Sequence, residues 1–161
     1  MMGSSSHYYS SKFNCKVPTN LKGSVLNVIL RDMGMMRMMG GTAPKGAHMQ
    51  LVVSPNKTSV GVVSIFVENL GWRIHELVIL PLSTNQRVGQ RIPGSDGKIR
   101  ELRSIAEASN NCGSGTGSGI RSGSASWITL NLKAGRYELV CNLANHYADG
   151  MYQELDADLI V

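Results

Sequence analysis

Cys141, His146 and Met151 stand at intervals of five in the stretch "CNLANHYADGM" (141–151). A thiolate and a thioether are soft donors that favour Cu(I), and an imidazole serves Cu(I) and Cu(II) alike. Five residues is a poor helical interval, because residues three or four apart share a helix face. It is also an odd number, so in a regular strand successive members would point to opposite faces. Regular structure would therefore scatter the three groups, whereas a loop curling about one point would gather them. Asn145, Asp149 and Gly150 tolerate the tight backbone conformations such a loop requires. One Cys, one His and one Met make an incomplete ligand set, so a fourth group has to come from elsewhere.

Only three other histidines exist: His7, His48 and His75. His7 lies close to the chain start, and His48 opens a strand-like run in "KGAHMQL". His75 follows the turn "ENLGW" at the start of the apolar run "RIHELVILPL" (73–82), and a sandwich could carry it to the same end as the 141–151 loop. Two imidazoles and a thiolate with a long axial thioether form the blue-copper donor set.

The elements that must position these groups are strands. "SVLNVILR" (24–31), "AHMQLVVS" (47–54), "SVGVVSIFVEN" (59–69), "RIHELVILPL" (73–82), "SWITLNL" (126–132), "RYELVC" (136–141) and "YQELDADLIV" (152–161) are rich in Val, Ile and Leu. Many alternate with period two, and short connectors carrying Pro, Asn or Gly separate them. With no β-α-β rhythm, the pattern predicts an all-β, Greek-key antiparallel sandwich. Two segments break it. Residues 95–109 carry Ile99, Leu102, Ile105 and Ala106 at helical spacing, with Ser95 or Asp96 as N-cap, which predicts one short helix. Residues 112–126, "CGSGTGSGIRSGSAS", predict a mobile Gly/Ser-rich loop insertion that buries almost nothing.

The 161 residues suit a single domain spanning 15–161, with residues 1–14 read as a leader or tag-like segment outside it. The net charge of +5 comes from sixteen dispersed Lys and Arg. The clusters Arg87/Arg91 and Lys98/Arg100/Arg103 lack the interleaved aromatics of a single-strand groove, so no nucleic-acid partner is expected. No apolar stretch has the roughly 18 residues of a membrane span. Three cysteines leave an odd count. With Cys141 committed to a metal, Cys15 and Cys112 remain as a candidate disulfide pair suited to an oxidising compartment, or as two unpaired thiols.

Taken together, "NLGWRIHELVILPL" (69–82) and "GRYELVCNLANHYADGM" (135–151) resemble the cupredoxins, in particular the sulfocyanin-like blue copper proteins. The resemblance spans residues 24–161. It implies a cupredoxin-like sandwich holding one type 1 copper, with His75, Cys141 and His146 as equatorial ligands and Met151 as the axial one. It also implies one-electron transfer between Cu(I) and Cu(II), redox partner proteins as donor and acceptor, and no substrate turnover. An extracytoplasmic location, at the cell surface or in the periplasm, is implied too, with membrane association through a removed N-terminal segment as one route. A monomer is expected. Many cupredoxins place Asn or Ser directly after the first His, where this chain has Glu76. That position helps tie the first-His strand to the ligand loop, so Glu76 and Asn142 are candidates for orienting the ligands from outside.

"RDMGMMRMMGG" (31–41) holds five of the nine methionines. It reads as an adaptable apolar loop. Met35, Met36, Met38 and Met39, with Tyr147, are candidates for an electron-transfer surface around the edge of His146. The competing function uses the same ligands plus residues 33–39 as a copper chaperone or store, which would take up several Cu(I) ions rather than one.

Overall fold

The computed structural model describes residues 15–32, 43 and 45–159. Among them the strands are β1 (Ser24–Asp32), β2 (Met49–Ser54), β3 (Lys57–Ser59), β4 (Gly61–Asn69), β5 (Leu77–Leu82), β6 (Ala106–Ala108), β7 (Gly113–Ser114), β8 (Ala125–Leu132), β9 (Gly135–Val140) and β10 (Tyr152–Asp158). They form two five-stranded sheets, β2-β1-β4-β8-β7 and β3-β10-β9-β5-β6. Alternation decides which faces meet. Leu26, Val28 and Leu30 of β1, Met49, Leu51 and Val53 of β2, and Val63, Ile65 and Val67 of β4 all enter one core. Leu77, Ile79, Leu139 and Leu155 meet them from the opposite sheet. β5 is buried along nearly its whole length because Val78 and Leu80 turn to the other face. There they pack with Ile99, Val140 and Tyr147 in a second, smaller cluster.

The sandwich is mixed rather than purely antiparallel, since β1 runs parallel to β4, β3 to β10 and β7 to β8. That correction matters for the site. Parallel pairing sets the C-terminal ends of β1 and β4 side by side, with Leu30 opposite Asn69. Asp32 therefore reaches the turn that follows β4. On the other sheet β9 is antiparallel to both β5 and β10, with Val140 opposite Val78 and Tyr152. The end of β9, the entry to β5 and the entry to β10 thus share one end of the sandwich, which brings Cys141, His75 and Met151 together from three strands.

The helix expected over 95–109 does not form. Arg103 sits at φ +71°, which breaks a right-handed helix. Ile99 is buried while Leu102 and Ile105 are exposed, so the helical spacing builds no single apolar face. Asn142 accepts from the Ile99 N–H and donates to its carbonyl, and the Ile105 N–H donates to Ile79, so the segment's backbone is used at the sheet edge instead.

The Gly/Ser stretch is likewise pinned, contrary to its composition. It supplies β7, buries Ile120, and exchanges backbone hydrogen bonds of 3.1 and 2.8 Å between Ile120 and His75. Residues 1–14, and with them the leader expectation, lie outside the described residues.

Candidate metal centre

The turn after β4 is built to present His75. Asn69 is fully buried, and its amide donates to the carbonyls of Arg73 and Ile120 while accepting the Gly71 N–H, each at 2.8 Å. The loop after β9 closes on itself in the same way. The His146 N–H donates to Leu143, the Met151 N–H to the His146 carbonyl, and the Cys141 N–H to the Met151 carbonyl. Asn145 takes φ +71° inside this ring, a conformation asparagine tolerates better than most residues.

Three donor atoms meet. His75 Nδ1 and His146 Nδ1 are 3.2 Å apart, and Cys141 Sγ lies 3.8 Å from the first and 3.3 Å from the second. All three residues are completely buried. A circle through these atoms has a radius of about 2 Å, which is a metal–nitrogen bond length. An imidazole pair and a thiol that converge at this spacing could together hold a single copper ion. Met151 is also fully buried, with its backbone bonded to both Cys141 and His146, which keeps it at the same end.

The surroundings of the thiol favour its protonated form. Burial, then the Glu76 carboxylate, pushes Cys141 up to about 12, against the backbone N–H groups of Leu143 and Glu76. The Glu76 N–H donates to Sγ at 3.3 Å, so this residue touches the sulfur through its backbone. Its side chain accepts the backbone N–H of Asn142, yet burial and the nearby Glu107 and Glu101 push the carboxyl up to about 7. The Asn142 amide itself binds Ile99 and, at 2.8 Å, Glu101.

Two features had no sequence signal. The first is Asp32, whose Oδ2 lies 2.8 Å from His75 Nε2, both side chains being 0 % exposed. The second is a network behind the ligand loop. Tyr147 Oη donates to Glu138 Oε2 at 2.8 Å, Arg91 Nε donates to Glu138 Oε1 at 2.6 Å, and the Gly89 N–H completes the carboxylate's contacts at 2.7 Å. Tyr147 is 2 % exposed, so its side chain braces the loop from inside. Met35, Met36, Met38 and Met39 lie outside the described residues. Cys15 and Cys112 are neighbours whose thiols are hydrogen-bonded but not joined.

A family model described as the Sulfocyanin (SoxE) domain matches residues 47–161. Among solved structures, rusticyanin variants are 15% identical over 98% of this chain and 94% of theirs, with a TM-score of 0.50. Rusticyanin from Thiobacillus ferrooxidans is 14% identical over 98% and 94%, with a TM-score of 0.48. Reduced auracyanin from the photosynthetic bacterium Roseiflexus castenholzii is 14% identical over 86% and 98%, with a TM-score of 0.46. No curated protein sequence matches the chain. The rusticyanin variants bear on the fold, and the domain model covers most of the chain, including the His75 turn and the whole 141–151 loop. This chain therefore belongs to the sulfocyanin family of cupredoxins, blue copper proteins whose cofactor is one type 1 copper.

Proposed function

We propose that the protein is a one-electron carrier in which His75, Cys141 and His146, with Met151 as a fourth ligand, would hold one copper ion. The observation that carries this reading is the convergence of three buried ligand atoms, all within 4.8 Å of one another. Bound there, copper supplies one-electron chemistry by alternating between Cu(I) and Cu(II). The chain's own part is to hold the donors still. Cys141, His146 and Met151 leave the backbone within one hydrogen-bonded ring, and His75 is fixed by paired backbone bonds to Ile120. Complete burial keeps water from competing for the metal. On this reading the chain turns over no substrate of its own, and its partners are other redox proteins.

Adding Cu(II) to the metal-free protein should give an intense blue band at one equivalent, and Cys141→Ser should abolish it. A colourless complex would overturn the reading, and uptake of several Cu(I) ions would favour copper storage instead. An extracytoplasmic location agrees with the family and with the Cys15–Cys112 neighbours. Exposure to dioxygen should convert the two thiols to a disulfide, their electrons and protons passing to the oxygen. Mass spectrometry would register the loss of two hydrogens from that pair, and none in Cys15→Ser.

A further inference from the structure

Asp32 makes only one kind of contact: it accepts. Its Oδ2 receives the Trp72 and Arg73 backbone N–H groups, each at 3.0 Å, and Oδ1 shares the Trp72 N–H at 3.1 Å. The same Oδ2 faces His75 Nε2 at 2.8 Å. A neutral imidazole carries one N–H, and the nitrogen facing an acceptor-only carboxylate must be the one that bears it. The other nitrogen, Nδ1, is then left with its lone pair, and it is Nδ1 that points at Cys141 and His146. Gly71 makes room for this pair, since a Cβ there would overlap Asp32 Oδ2 and lie 3.0 Å from His75 Nε2.

We propose that Asp32 is a positioning residue for the copper site, fixing His75 in the Nε2–H tautomer with Nδ1 free to bind and favouring the oxidised metal through its negative charge. The inference rests on His75 being a copper ligand. Carboxylates behind metal-binding histidines orient the ring and raise its basicity, and losing one lowers metal affinity on the order of 10- to 100-fold. A charge so close to the site stabilises Cu(II) more than Cu(I), so it lowers the reduction potential.

The test compares wild-type protein with Asp32→Asn, which keeps an acceptor for the Nε2–H and removes the charge. Cu(II) and Cu(I) affinities and the reduction potential are measured on both, and nitrogen NMR of the metal-free wild type reads the His75 tautomer. The expected result is an Nε2–H tautomer, a retained blue band, and a Cu(II) affinity that falls about tenfold more than that of Cu(I), equivalent to a potential raised by about 59 mV. A purely structural Asp32 would leave both affinities and the potential unchanged, which overturns the proposal. So does a metal-free His75 protonated on Nδ1. A wild type that never turns blue defeats the carrier reading instead, and the tautomer measurement still decides the Asp32–His75 pairing.

Discussion

Two carboxylates flank the entry to β5, and they live in opposite surroundings. The Asp32 side chain is fully buried, a condition that works against its charge. Hydrogen bonds from His75 and from the Arg73 and Trp72 backbone nonetheless hold the carboxyl well below the usual range. Glu76 is pushed up first by burial and then by two other carboxylates nearby, and its one backbone donor, from Asn142, does not offset them. Depth alone does not decide whether a buried acid is charged; the number of N–H groups aimed at it does. The negative side of His75 is thus the Asp32 side, although Glu76 is the sequence neighbour.

The sharpest way to break this contrast is to remove the donors' partner. Asp32→Ala leaves the buried His75 Nε2–H and the part-buried Arg73 N–H without their acceptor, together with the exposed Trp72 N–H, which should cost about 4 kcal/mol in denaturant unfolding of the metal-free protein.

Glu76→Gln should act in the other direction. The Glu76 carboxyl titrates near 4.5 in the free chain and at about 7 in the fold, so the folded state holds the proton more tightly. Its contribution is intact below the lower value and is lost as pH rises through the upper one. The glutamine variant should therefore gain stability over wild type as pH rises, by up to roughly 3 kcal/mol at about pH 8, read from denaturant midpoints in the metal-free protein. A variant that tracks wild type across this range would show that Glu76 stays ionised, and the contrast would fail.

Gly71→Ala sharpens it more gently. The backbone there suits any residue, so the effect is steric alone. Pushing Asp32 from His75 should lower stability by about 2 kcal/mol and weaken copper binding along with it, as calorimetry would report.

Much of this was legible from residue order because period-two apolar runs have few alternative homes. The strands that carry Cys141 and Met151 were visible for that reason, and the interval of five marked a loop. Asp32 was invisible because its partner lies 43 residues away, joined by parallel pairing of β1 and β4 that no local pattern announces. Residues 95–109 misled in the reverse sense. Their helical spacing was real, but Asn142 takes the Ile99 backbone from both sides and β5 takes Ile105. Competition for backbone partners from distant residues leaves no trace in local spacing.

The Gly/Ser segment carries a consequence for how this protein tolerates change. At Gly117 a methyl group would come within 2.6 Å of the Asn110 Cα, and at Gly119 it would strike the Ile74 side chain, beside His75. Composition that elsewhere signals slack here makes a close-fitting clasp, main chain laid directly upon main chain. Alanine scanning should find these blandest positions among the least forgiving in the molecule, ahead of many residues of the oily interior.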